Sequence, residues 1–223
     1  MITEKNPKLE FLLNDQNSKI ALELLSPEFS SVFLSELERR FWAHLEDSAR
    51  DSQFSFKVMV AEKHEPYLGG WLYPLSGHPQ PSPLCPWLGF WYRKEADGVD
   101  CCLFMDLRWT AGRRDFGFNE GETVQGYVSR RLTGGVEVVK DLATLIRSSG
   151  GNTSNPNAFG GIPFNSDKCS RTEYLRRNWA TDAARSACAK RFIIQCVSWF
   201  KDMEAPLQRL NQVLNVQQAS NPV

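Results

Sequence analysis

The stretch WLGFWYRKEADGVDCCLFMDLRW, residues 87–109, decides the fold. Trp87 to Arg93 is an aromatic run of the kind that suits a pleated, half-buried surface. Ala96-Asp97-Gly98 supplies a hairpin turn, and Val99 to Trp109 returns as a second long strand. Two such runs joined by an Asp-Gly turn predict an antiparallel pair.

Upstream, Phe54-Ser-Phe-Lys-Val-Met-Val alternates as a half-buried strand does, and Gly69-Gly-Trp-Leu-Tyr is a second short strand. Ser76 to Pro86 holds four of the twelve prolines and reads as an exposed connection. Downstream, residues 110–133 are polar and glycine-rich, with one strand expected around Thr123–Val128. A short helix is expected at about 136–147 on Val139, Leu142, Leu145 and Ile146. Ser148 to Asp167 is longer than most connections and reads as a mobile loop or linker over 148–167.

Helices flank this central region. Residues 7–25 read as two short helices interrupted at Asn14-Asp15-Gln16-Asn17. Ser26 and Pro27 then make a strong helix start, and Phe29, Phe33, Leu37, Phe41 and Leu45, with Trp42 beside them, form an apolar stripe to about residue 50. Near the C-terminus, Ser170-Arg-Thr-Glu173 is a capping box. The stripe behind it runs through Leu175, Trp179, Ala183, Ser186, Ile193, Val197 and Phe200. From Phe192 to Phe200 the helix is apolar nearly all round, which predicts packing on two sides. Pro206 is expected to bend or restart it. Helices at both ends around a run of strands give an α+β class: an antiparallel sheet over about 53–130, packed by N- and C-terminal helices in a single domain, 1–223.

Composition narrows the function classes. The 223 residues carry 26 lysines plus arginines against 26 acids, a formal net charge of zero, which disfavours a globally basic nucleic-acid binder. Mean hydropathy is −0.39 and no apolar run approaches the length of a membrane span, so no membrane partner is expected. The N-terminus lacks a secretory pattern, and the six cysteines include no C-x-x-C pair. A soluble protein of the reducing cytoplasm with buried free thiols is the expectation. His44, His64 and His78 share no metal-ligand spacing.

Motifs for phosphate loops, dinucleotide turns and nucleophile elbows are absent, and no cofactor is expected. His78 and Cys85 sit close in sequence, which says little about a catalytic pair in space. Asp106, Asp115, Glu120 and Glu122 are the acids a metal-dependent hydrolase or nuclease would use, with Asp106 joined by Glu120 or Glu122 around a divalent ion. Asp106-Leu-Arg108 carries arginine where nuclease chemistry wants lysine, and the plain alternative is a structural ion pair on one strand face.

Arginine interleaved with aromatics points instead to a contact surface: Arg108, Trp109, Arg113, Arg114, Phe116, Arg130 and Arg131. The four nearby acids nearly cancel this charge, which favours a protein partner over a polyanion. The leading expectation is a non-enzymatic binding or adaptor protein. A third reading places nucleic acid on the basic stretch 168–191, where seven cations face two acids and Arg177 and Arg191 point to solvent.

Overall fold

A computed structural model describes residues 7–24, 27–59, 68–75, 84–95, 98–109, 119–123, 126–127, 135–153, 158–165 and 167–220. Three helices open the chain: α1 (Pro7–Leu12), α2 (Ser18–Leu24) and α3 (Pro27–Asp51). Four strands follow: β1 (Phe54–Met59), β2 (Leu68–Pro74), β3 (Leu84–Glu95) and β4 (Gly98–Trp109). Then come α4 (Gly135–Ser148), β5 (Ala158–Pro163), β6 (Asp167–Lys168), α5 (Arg171–Asn178) and α6 (Asp182–Ser220). The sheet runs β1-β2-β3-β4-β5 with every pairing antiparallel, and β6 also pairs β4. This is the α+β arrangement expected, with helices flanking one antiparallel sheet.

The hairpin sets the register. Glu95 pairs with Gly98, and the ladder continues without a slip to Leu84 opposite Trp109. Side chains on a strand alternate between faces, so Cys101, Leu103, Met105, Leu107 and Trp109 enter the main core, while Cys102 and Phe104 join a separate small cluster on the other face. The helices cover the first face. Phe33, Leu37, Phe41, Trp42 and Leu45 of α3 are buried there, as the stripe predicts. Helix α6 packs against both α3 and α4.

Trp179 is the hub of this core. Its ring stacks on Phe41 of α3 at 4.1 Å and lies 5.0 Å from Phe90 of β3 and 5.9 Å from Tyr174 of α5. Aromatic contacts of this kind add to the area they bury. The expected continuous helix from Ser170 breaks at this residue. Ser170 accepts from the Glu173 amide as a cap should, but α5 ends at Asn178 and α6 starts afresh at Asp182. Buried Arg185 donates to the carbonyls of Trp179 and Ala180, and Ser18 donates to Ala180 as well. Thr181 and Asp15 accept from the amides of Ala184 and Asp182. The break resets the helical phase, so Ala183 and Ser186, expected on the apolar stripe, are exposed, while Cys188 and Ala189 are buried.

Other local expectations change in the same way. Ile194 is 55% exposed, so the Phe192–Phe200 half is not buried all round, although Phe192, Ile193, Cys196, Val197 and Phe200 are. Helix α6 runs on through Pro206, which is buried beside Met203 and Leu207. The strand expected near Thr123–Val128 is instead helical at Gly126 and Tyr127: Thr123 accepts from the Gly126 amide through its hydroxyl and from Tyr127 through its carbonyl. The loop expected over 148–167 contains β5, held between β4 and a bridge from Asn152 to Gly161.

The proline-rich connection ends earlier than expected, because Leu84, Cys85 and Pro86 already belong to β3 and are buried. Pairing with β2 stops at Trp71–Trp87, and a single side chain of α6 takes over. The Asn211 amide accepts from Leu84 N–H and donates to Leu84 C=O, both at 2.9 Å. Backbone groups two residues apart point the same way, so the N–H that Pro86 lacks would face this same side, away from β4. Replacing Asn211 with leucine strips both buried backbone groups of their partner. We expect a loss of roughly 2–4 kcal/mol in urea unfolding, with the transition still cooperative.

Candidate functional site

The face of the sheet turned away from the helices carries the candidate site. Strand alternation puts Cys102, Phe104, Asp106 and Arg108 of β4 on it. The register sets Trp87 opposite Asp106, Cys85 opposite Arg108, Gly161 of β5 on the other side of Asp106, and Trp71 of β2 next to Trp87. The large side chains lie down on the sheet because glycine stands beneath them. A methyl at Gly89 would come within 2.5 Å of the Phe104 ring, and one at Gly161 would collide with Asp106 Oδ1. Trp71 and Trp87 meet edge to face at 5.0 Å.

Arg108 lies across this floor. Its guanidinium carbon is 4.8 Å from the centre of the Trp87 ring and 5.7 Å from that of Phe104, within the range of cation–π attraction. Its Nε donates to Asp106 Oδ2 at 3.2 Å. Among the described residues its two terminal nitrogens meet no acceptor. The side chain remains 19% exposed, against 9% for that of Asp106. Two aromatic rings and a carboxylate therefore hold the guanidinium in place, with its terminal edge unmatched among the described residues.

Burial is the main influence on Asp106 and raises its carboxyl from 3.8 to about 6; the neighbouring Arg108 charge and hydrogen bond pull the other way. Desolvation outweighs the ion pair, as it does for many buried pairs.

The residues singled out in the sequence separate under this geometry. Arg108 and Asp106 come together on one strand face as an ion pair. Trp109 points to the opposite face and is built into the main core at 9% exposure, which leaves it no contact surface. Arg113, Arg114, Asp115, Phe116, Arg130 and Arg131 lie outside the described residues, as does His78. Glu120 is exposed, and Glu122 accepts from the Asn119 amide at 2.8 Å, capping its own turn. Among the described residues no three His, Cys, Asp or Glu side chains group as metal ligands. Cys85, Cys101, Cys102, Cys188 and Cys196 are buried outside any disulfide, with Cys169 half-buried.

The basic stretch 168–191 is largely occupied with itself. Glu173 is held down at about 2 by hydrogen bonds from Arg176 and Arg177, and Arg177 also reaches Asp167 at 3.0 Å. Arg171 pairs with buried Glu38 of α3, and Arg185 is buried under the helix break. Arg191 is exposed. Lys19, Arg176 and Arg177 border a shallow depression of about 310 Å³ with Thr181.

Trp71, Trp87, Phe104 and Gly161 are the site residues that composition did not pick out. The pointer to Trp87 and Phe104 was arithmetic: a two-residue turn that pairs Glu95 with Gly98 fixes Trp87 opposite Asp106 and Gly89 opposite Phe104. The chain matches no protein-family model, no curated protein and no solved structure. Among the described residues no helix is long and apolar enough to cross a membrane.

The raised Asp106 carboxyl makes stability depend on pH. Between pH 3.8 and about 6 the folded chain keeps a proton that the unfolded chain has released. Wild type therefore gains stability relative to Asp106→Asn as pH falls through about 6, and loses it as pH rises. The difference between the two ends is about 3 kcal/mol at most, read from chemical denaturation of both proteins at several pH values. Gly161→Ala drives a methyl against the same carboxyl and is expected to cost about 1–3 kcal/mol in the same measurement.

Proposed function

We propose that this chain is a non-enzymatic binding protein, an adaptor that engages another protein through the sheet face around Arg108. The observation that carries this reading is the fixed, partly exposed guanidinium whose terminal nitrogens meet no acceptor among the described residues. Arg108 is held over Trp87 and Phe104 and tied at Nε by Asp106, so little side-chain entropy remains to be lost when a partner docks. Arginine and tryptophan set in a partly desolvated surface have the composition of an interface anchor.

Catalysis calls for several titratable groups converging on one point. Asp106 is engaged by Arg108, the other acids that strand register puts on this face, Glu95 and Asp100, stand at its hairpin end, and no histidine occurs among the described strand residues. Arg113, Arg114 and Phe116 follow β4 closely in sequence, with Arg130 and Arg131 beyond them, and this arginine–aromatic composition supports the same reading. The zero net charge of the chain fits a protein partner better than a polyanion. In this reading the exposed cations Arg177 and Arg191 play a lesser part, since Arg177 is already neutralised by Glu173 and Asp167.

The test is a quantitative affinity purification comparing wild type with Arg108→Gln and with the double substitution Arg113→Ala, Arg114→Ala. The specific partner of wild type should drop at least about tenfold in yield, a change of about 1.4 kcal/mol, with Arg108→Gln. Full retention of every partner by both variants, each folded by circular dichroism, would refute the reading.

A further inference from the structure

Asp106 covers only part of the Arg108 guanidinium. Its Oδ2 takes Nε, while Oδ1 is turned into the space above Gly161. A guanidinium has two edges that can receive a carboxylate by two parallel hydrogen bonds. The edge formed by the two terminal nitrogens meets no acceptor among the described residues, and the guanidinium lies over the Trp87 and Phe104 rings. Building on the reading of this face as a contact surface, we infer that the partner supplies a carboxylate, an aspartate or glutamate side chain bound end-on to Arg108, and that Asp106 competes with it as the resident counter-ion.

Charge selects the carboxylate. With Asp106 ionised the pair is neutral, so an incoming anion gains the Arg108 attraction but meets the Asp106 charge. A phosphate dianion meets both the attraction and the repulsion twice, so the two scale together, but the cost of stripping water from the ion grows with the square of its charge and falls hardest on the dianion. The zero net charge of the chain supplies no wider positive field to offset the difference. A single planar carboxylate between aromatic walls is the group this geometry suits.

Regulation follows from the seat of Asp106. The groups on described strands that face it are Arg108 and Phe104 of β4, Trp87 and Cys85 of β3, and Gly161 of β5. Arginine stays charged throughout, and a thiol ordinarily titrates near 8.5. Of these facing groups Asp106 is the one that changes charge near pH 6. Partner aspartates and glutamates, with ordinary values near 4, remain mostly ionised there. As Asp106 takes up its proton the Arg108 charge is uncovered, so binding strengthens as the solution is acidified and the complex takes up protons as it forms.

The experiment titrates the full chain with a short capped oligoglutamate peptide and, separately, with inorganic tripolyphosphate, at about pH 5.5 and about pH 7.5. Wild type should bind the peptide roughly tenfold more tightly at the lower pH. Asp106→Asn should bind it at the higher pH about as tightly as wild type does at the lower, with the pH dependence gone. Arg108→Gln should lose peptide binding at both, and Arg108→Lys, which keeps charge without the planar fork, should recover only part of it. Calorimetry of wild type in two buffers of different ionisation heat reads proton uptake directly and needs no variant to fold.

If Arg108→Gln weakens the peptide but Asp106→Asn does not tighten it and no proton is taken up, the counter-ion inference fails while the contact surface stands. If folded Arg108→Gln binds the peptide like wild type, or wild type does not bind it, carboxylate recognition at Arg108 fails, and the affinity purification decides separately whether the face is a contact surface. Tighter binding of tripolyphosphate than of the peptide would overturn the carboxylate assignment.

Discussion

Strand β4 pairs with three others, so its alternation is the constraint from which both faces of the sheet follow. Every second residue from Cys101 to Trp109 points into the helix-covered core, and the residues between them build the opposite face. A slip of one residue would exchange the two sets, placing Asp106 and Arg108 among Phe41, Phe90 and Trp179. Burying that pair in the main core would remove both charges from water far more completely than the present face does. The continuous hairpin ladder with β3 and the paired edge of β5 hold the register against that slip.

The helical layer depends on a second device, the break between α5 and α6. It turns Trp179 inward against Phe41 and Phe90, and it is secured by polar groups far apart in sequence, Asp15 and Ser18 on one side and Thr181 and Arg185 on the other. Those contacts satisfy backbone groups that any helix end leaves open, which lets an interruption sit inside the core. Asn211 plays the matching part at the far end of α6, where its amide stands in for a missing strand beside Leu84.

On the face away from the helices the chemistry comes from placement. Gly89 and Gly161 let a ring and a carboxyl lie flat against the sheet, which brings Phe104 and Asp106 into range of Arg108. The result is a cation that is held in position and partly neutralised. Such a group is the anchor on which the proposed contact surface relies.

Much of this architecture was legible in the residues. The period of α3, the alternation of β1 and the Asp-Gly turn determined the strong elements, since local periodicity and turn chemistry are properties of neighbouring residues. The pairing of Asp106 with Arg108 was legible as well, because two residues apart on a strand is one face. The tertiary structure alone decided the break at Trp179, the recruitment of β5 out of an apparent loop and the burial of Trp109, each resting on a partner distant in the chain or on an edge waiting to be paired. The helical turn at Gly126–Tyr127 is a local matter, where the Thr123 cap overrode strand propensity. The aromatic walls of Arg108 stand between these cases: their register was implicit in a two-residue turn, but the glycines that allow the rings to lie down act only once β2, β3 and β5 are side by side, because steric room is a property of packed strands and not of any one of them.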